Sequence, residues 1–163
     1  MNKSKALFLD RDGVINKDFG YVYKPDNLII LDGVFDLCQK AKQLDYKLII
    51  VTNQSGIGRG YYTEEDFWLF MDAINLEFAK YELIFDGIYF SPYHPDAVNP
   101  KYKFGKELRK PDTGMILQAQ KDFNINLSQS VLIGDKITDI QAGMKAGVGR
   151  NILITNDVSC VIL

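Results

Sequence analysis

What most constrains this chain is a set of short apolar runs that lack polar alternation, at residues 6–9, 48–51, 88–90, 131–133 and 152–154. A strand with one face in water alternates apolar and polar residues, whereas a strand covered on both faces does not. The runs therefore predict a parallel sheet sandwiched between helices. The segments between them agree: Val34, Leu37, Cys38, Ala41 and Leu44 recur with helical spacing, as do Phe67, Phe70, Met71, Ile74 and Phe78. Thr63 followed by Asp66 has the form of a capping box, Asp32 is placed to cap the first helix, and Gly147 is placed to close the last. The expected fold is α/β, with strands and helices in βαβα order and one domain spanning residues 1–163.

At 163 residues, 47% hydrophobic and 25% charged, the chain has single-domain size and can bury a core without staples. Its 19 Lys and Arg against 21 Asp and Glu leave a formal charge of −2 and a pI near 5.4, which offers no global attraction to nucleic acid or an anionic membrane. The apolar run after the N-terminal lysines is too short for a signal peptide or a membrane span, so the expected location is cytoplasmic. Cys38 and Cys160 supply neither a disulfide framework nor the spacing of a structural zinc site. The terminal Cys160-Val161-Ile162-Leu163 has the C-a-a-X form, but residues 155–159 carry no basic side chain. We read it as an apolar tail packed on the domain.

In a sheet of this kind ligands bind beyond the carboxyl ends of the strands. Polar clusters fall there. The first run ends in Asp10-Arg11-Asp12, the second in Thr52-Asn53-Gln54-Ser55 and the fourth in Gly134-Asp135-Lys136. Arg109-Lys110-Pro111 lies in the loop after the third, ahead of a helix expected to begin near Asp112 or Thr113. Carboxylates gathered in one cleft repel one another unless a cation joins them, and hard oxygen ligands with a position left for phosphate suit Mg²⁺. Asp10 and Asp135 are the candidate side-chain ligands. A metal, a lysine and a hydroxyl would orient a phosphoryl group for attack by Asp10, with Asp12 as acid and base. Each cluster alone has a plainer reading: a solvated turn for D-x-D, a helix cap for Gly134-Asp135-Lys136, a flexible connection for the glycines at 56, 58 and 60. Those glycines also lack dinucleotide-site spacing. The joint order of the clusters at strand ends favours a site.

The segments DRDGVIN, VTNQSGIGRG, RKPDTGM and GDKITDIQAG resemble the motifs of haloacid dehalogenase (HAD) superfamily phosphatases, in the right order and across almost the whole chain. Their wording is similar to that of the D-glycero-D-manno-heptose 1,7-bisphosphate phosphatase and histidinol-phosphatase group. The resemblance implies a capless, Rossmann-like HAD domain that hydrolyses the heptose bisphosphate through a phosphoaspartate on Asp10, in the biosynthesis of nucleotide-activated heptose for lipopolysaccharide or surface glycan. Asp12 would protonate the leaving oxygen and then deprotonate the hydrolytic water. Mg²⁺ would rest on Asp10, the backbone carbonyl of Asp12, and Asp135. Thr52 and Lys110 would hold the phosphoryl oxygens, and Asp139 would orient the acids from behind. Substrate contacts carried over by position are Asp18, Phe19, Gly20, Tyr21, Asn53, Gln54, Ser55, Arg109 and Lys136, the loop at 18–21 replacing a large cap. The implied partner is a small phosphorylated sugar, met by a monomer, with neither nucleic acid nor membrane involved.

Many members of that group carry a C-x-H and C-x-C zinc site after the third strand. Here Ser91, Tyr93, Lys106 and Leu108 hold the four ligand positions, so no zinc is expected. The loop is then held by its prolines and by packing of Tyr93, Tyr102, Phe104 and Leu108. His94, the single histidine, reads as a loop contact. Lys101, Lys103, Lys106, Arg109 and Lys110 outnumber Glu107 here, either as an attraction for an anionic substrate or, for the first three, as a solvated face. Histidinol phosphate as substrate, a polynucleotide or protein phosphatase, and a phosphoacceptor regulatory domain stay open as alternatives. A nucleophile that ends the first strand and has its own acid two residues later favours turnover over the regulatory domain.

Overall fold

The computed structural model describes residues 3–155 and 157–163; Met1, Asn2 and Asn156, which belong to the terminal stretches read above, lie outside it. Strands β1 (Lys5–Leu9), β2 (Tyr46–Asn53), β3 (Gly87–Ser91), β4 (Val131–Gly134) and β5 (Arg150–Leu153) form one parallel sheet in the order β3-β2-β1-β4-β5. Helices α1 (Val34–Gln43), α2 (Ser55–Gly58), α3 (Glu64–Ala79), α4 (Gly114–Phe123) and α5 (Ile137–Ala146) complete the fold. The two-residue period of a strand divides the core. Leu7 and Leu9 join Leu37 of α1 with Phe70 and Ile74 of α3, while Ala6 and Phe8 join Met115 and Ile116 of α4 and Ala142 of α5. Residues 6–9 are wholly buried, each large side chain contributing roughly 1.5–3 kcal/mol over an exposed one.

The expectation of two covered faces holds for β1 and β4 and for the inner length of β2, and fails at the sheet edges. Most of β3 is only half-buried, and β5 runs over Arg150–Leu153 rather than 152–154, with Arg150 and Leu153 exposed. The flanking helices cover the middle of the sheet first, so an edge strand keeps apolar residues without full cover.

Helix ends follow the sequence in two cases and depart in one. Thr63 Oγ1 accepts from the Asp66 N–H at 3.1 Å and Asp66 Oδ2 accepts from the Thr63 N–H at 2.9 Å, closing the expected capping box. Gly147 ends α5 in the left-handed region. Asp32 does not cap α1: Gly33, at φ 80°, stands at the cap position and no side chain bonds the free N–H groups.

The C-terminal tail packs as expected through Val158, Val161 and Leu163, and Arg150 Nη1 donates to the Ile162 carbonyl at 2.9 Å; Cys160 and Ile162 stay exposed. The loop between β3 and α4 is pinned by Tyr102. Its ring meets Tyr93 edge-on at 6.4 Å, its hydroxyl donates to Glu64 Oε1 at 2.6 Å, and its carbonyl accepts from the His94 N–H at 3.0 Å. Phe104 takes no part in this packing, contrary to expectation. It is 81% exposed, because Tyr93 lies against Gly105, where no side chain competes for the ring. Among the described residues no helix is long and apolar enough to cross a membrane.

Candidate active site

The carboxyl ends of β1, β2 and β4 open onto a cavity of about 390 Å³, where chain connections leave the sheet to either side of β1. Its floor is ionic and nearly dry. Asp10 follows β1, and the Lys110 ammonium reaches it from the β3–α4 loop: Nζ lies 2.9 Å from Asp10 Oδ1 and 2.6 Å from Asp139 Oδ1, and donates to the Val51 carbonyl at 2.7 Å. Those contacts use the three donors of an ammonium, so Lys110, 3% exposed, has no freedom to swing. Burial works against its charge, but Asp10 and Asp139 outweigh burial and hold its pKa above the ordinary value. Asn53 fixes the backbone of the same residue from both sides, Nδ2 donating to the Lys110 carbonyl and Oδ1 accepting from its N–H, each at 3.0 Å.

One carboxylate oxygen from each of Asp10, Asp135 and Asp139 falls within 4.8 Å of the others. Burial raises the pKa of Asp10 against the pull of Lys110. Burial, then the Asp10 charge, push Asp135 up to about 7 against Lys136. Asp135 Oδ1 is buried with no hydrogen-bond partner. An all-oxygen set with more negative charge than Lys110 can offset fits a hard divalent cation; Asp10 takes Lys110 and the Arg11 N–H, each at 2.9 Å, on Oδ1 alone, and Asp135 Oδ1 takes no donor. Asp139 is answered twice, by Lys110 and by the Lys136 N–H, which donates to its Oδ2 at 3.0 Å. Gly13 makes the close approach possible: at φ 83° it lies so near Asp135 that a Cβ would stand 2.2 Å from Oδ2.

Asp12 stands apart from this triad. Its Oδ1 accepts from Arg11 Nε at 3.1 Å, Arg11 Nη2 at 2.8 Å and Asn16 Nδ2 at 3.0 Å, and its Oδ2 from Arg11 Nη2 and Gln54 Nε2, each at 3.0 Å. Arg11 is wholly buried, donates also to the Val22 carbonyl at 2.6 Å, and lays its guanidinium 4.6 Å from the centre of the Phe70 ring. Thr52 is buried behind Gln54, with Oγ1 accepting from Gln54 Nε2 at 2.9 Å.

At the rim, Asp18, Gly20, Tyr21, Asn53, Gln54, Ser55, Arg109 and Lys136 all line the cavity; Phe19, exposed beneath the Lys17 ammonium, does not. Asp18 Oδ2 is 3.6 Å from Lys136 Nζ, and the Tyr21 hydroxyl accepts from Arg59 Nη1 at 2.7 Å. Burial and the neighbouring Arg59 lower the pKa of Arg109; burial, Arg59 and Arg109 lower that of His94 against Asp96.

Sequence reading did not single out Arg11, Asn16, Tyr62 or Thr138, the last two of which line the cavity. Arg11 had a signal, being a cation held between two candidate catalytic acids. Its destination depends on phenylalanines of α3 that no local pattern ties to it.

Comparison with known proteins finds relatives along most of the chain. The family model described as "HAD-hyrolase-like" matches residues 107–160. A Burkholderia mallei protein named D-glycero-alpha-D-manno-heptose-1,7-bisphosphate 7-phosphatase is 53% identical over 152 residues, covering 93% of this chain and 80% of that one. A Yersinia pestis protein named for the beta anomer is 45% identical over 149 residues, covering 91% and 79%. The crystal structure of D,D-heptose 1,7-bisphosphate phosphatase from B. bronchiseptica complexed with magnesium and phosphate superposes with a TM-score of 0.78 at 30% identity, covering 90% of this chain and 78% of that one.

Proposed function

This chain belongs to the D-glycero-D-manno-heptose-1,7-bisphosphate 7-phosphatase family of HAD-like hydrolases, and from that membership and the cleft we propose that it removes the 7-phosphate of a heptose 1,7-bisphosphate. The observation that carries the reading is the buried Asp10–Lys110–Asp139 chain at the tip of β1, with contacts of 2.9 and 2.6 Å, beside a second acid two residues on.

A carboxylate oxygen of Asp10 attacks phosphorus; the bond from phosphorus to the sugar oxygen breaks as Asp12 gives that oxygen its proton. Asp12, now a carboxylate, takes a proton from a water whose oxygen attacks phosphorus, and the acyl-phosphate bond breaks to release inorganic phosphate and restore Asp10. Thr52 donates its hydroxyl proton to a phosphoryl oxygen, and Lys110, fixed against Asp10, sets its positive charge beside the phosphoryl group. Mg²⁺, held by Asp10, Asp135 and the backbone carbonyl of Asp12, supplies charge neutralisation at the phosphoryl group when bound. Arg109 at the rim takes the remote phosphate, with Asp18 and Lys136 facing the sugar. The phosphosugar is met without nucleic acid or membrane.

A competitive phosphate-release assay tests the reading. The screen holds both anomers of the heptose bisphosphate, histidinol phosphate and a 3′-phosphorylated oligonucleotide. One heptose anomer is expected to give the highest kcat/KM. Equal or better turnover of histidinol phosphate, or activity confined to the oligonucleotide, overturns it.

A further inference from the structure

Position within the second motif gives Gln54 to the substrate, but its surroundings give it another task. It is 1% exposed, and both ends of its amide are taken. Asp12 takes Arg11 donors on both oxygens and so stands here as an acceptor, and the amide nitrogen faces it. Nε2 donates to Asp12 Oδ2 at 3.0 Å and to Thr52 Oγ1 at 2.9 Å. That orientation leaves Oε1 facing the Tyr62 hydroxyl, which donates to it at 2.5 Å. Burial pushes the Tyr62 phenol well above its ordinary pKa, so it stays a hydroxyl and a donor. Tyr62 is itself held on two sides. It stacks on Tyr23 with ring centres 5.0 Å apart and planes 12° from parallel. Its other contact is Gly56, where a Cβ would lie 2.2 Å from the ring.

We propose that Gln54 is a positioning residue, with its amide held between Asp12 and Tyr62 so that one nitrogen links the proton donor Asp12 to the phosphoryl binder Thr52. The inference rests on the roles given to Asp12 and Thr52 above. Because Thr52 Oγ1 already accepts from Gln54, its own proton is left for a phosphoryl oxygen. Because Asp12 Oδ2 is tied to the same nitrogen as well as to Arg11 Nη2, the acid keeps a fixed distance from the group being transferred. A rotated amide would set Oε1 against the Asp12 carboxylate and lose the hydrogen bond from Tyr62, and these two contacts together make the rotation costly. The glycine of the second motif thus serves the first motif at one remove, by leaving room for the tyrosine that orients the glutamine.

The test uses Gln54→Met, Tyr62→Phe, the double variant and Asp12→Asn. Each is assayed with heptose bisphosphate, whose sugar leaving group needs a proton, and with p-nitrophenyl phosphate, whose leaving group does not. Gln54→Met is expected to lower kcat on the sugar by about 10–100-fold with KM changed less than about threefold, and to lower the burst rate of nitrophenol release much less. Tyr62→Phe, which removes a single hydroxyl, should show the same pattern at about 3–10-fold. Added to Gln54→Met it should cost nothing more, since it acts through the amide. A rise in KM with kcat kept would make Gln54 a substrate ligand and overturn the proposal, as would additivity of the two changes. If Asp12→Asn lacks the leaving-group discrimination, the acid assignment fails and takes this inference with it. If Asp12→Asn shows it and a folded Tyr62→Phe does not, the inference alone fails.

Discussion

At the floor of the cleft Asp10, Lys110 and Asp139 are almost inaccessible, sit at strand ends or against them, and have their polar atoms committed to one another, while the buried Thr52 is committed to Gln54. At the rim Tyr21 and Lys136 are exposed, Arg109 is half-buried, and the pairing of Asp18 with Lys136 stretches to 3.6 Å at the surface. The floor is a preorganised electrostatic device, in which fixed charges meet a phosphoryl group common to many substrates. The rim is made of side chains on loops, whose contacts are individually weak and so can be exchanged without disturbing the chemistry. The function proposed above gives reaction class to the first region and substrate choice to the second.

That contrast breaks if floor and rim variants behave alike. The largest expected effect is at the floor: Asp10→Asn should lower kcat by at least about 10⁴-fold in a phosphate-release assay, since an amide cannot form the acyl phosphate. Asp12→Asn should lose about 10²–10⁴-fold as a missing proton donor. Full turnover by a folded Asp10→Asn protein would remove the nucleophile from the scheme. At the rim, Arg109→Ala should raise KM for the bisphosphate about 10–100-fold, the worth of a charged hydrogen bond, while leaving kcat on a small monophosphate unchanged. A kcat loss on both substrates would place Arg109 with the floor.

The metal sharpens the comparison through pH. Asp10 and Asp135 have folded-state pKa values raised above the unfolded range, Asp135 to about 7. In metal-free protein their contribution to stability is therefore present at low pH and is lost as pH rises toward 7. Mg²⁺ favours the ionised acids, so the rise in Tm that it produces should be small at pH 5 and larger at pH 8, by on the order of 5 °C. A Mg²⁺ effect independent of pH would mean that these acids do not hold it. The smallest effects belong to the β3–α4 loop. A zinc-selective chelator with Mg²⁺ in excess should leave Tm and activity unchanged, because the positions in question hold Ser91, Tyr93, Lys106 and Leu108. Phe104→Ala should move stability by less than about 0.5 kcal/mol.

Much of the floor is legible in the chain because its residues follow strand signals directly. Asp10 stands one residue and Asp135 two residues past apolar runs that are plain in the sequence, and the sheet's topology brings those ends together. What escaped notice depends on contacts between distant segments. Arg11 finds Phe70 and Val22, Tyr62 finds Gln54, and Gly33 rather than Asp32 takes the cap because of a backbone angle. Phe104 shows the same limit from the other side. An aromatic residue in a loop rich in tyrosine reads as packing, yet the ring that packs is Tyr93, and only the turn at Gly105 decides between them.

The single histidine gives the rim a spectroscopic address. In a carbon-correlated proton spectrum the His94 imidazole contributes one pair of resonances, identifiable without assignment, and their pH titration reports the field of two guanidiniums. Burial, Arg59 and Arg109 hold its pKa down. An anion that settles between those arginines cancels part of their field and moves the titration upward, whereas a phosphoryl group bound at the floor alone leaves it where it was. Inorganic phosphate, a monophosphate and a bisphosphate can therefore be told apart by where each one binds, from a signal that needs no turnover and survives in a variant lacking the nucleophile.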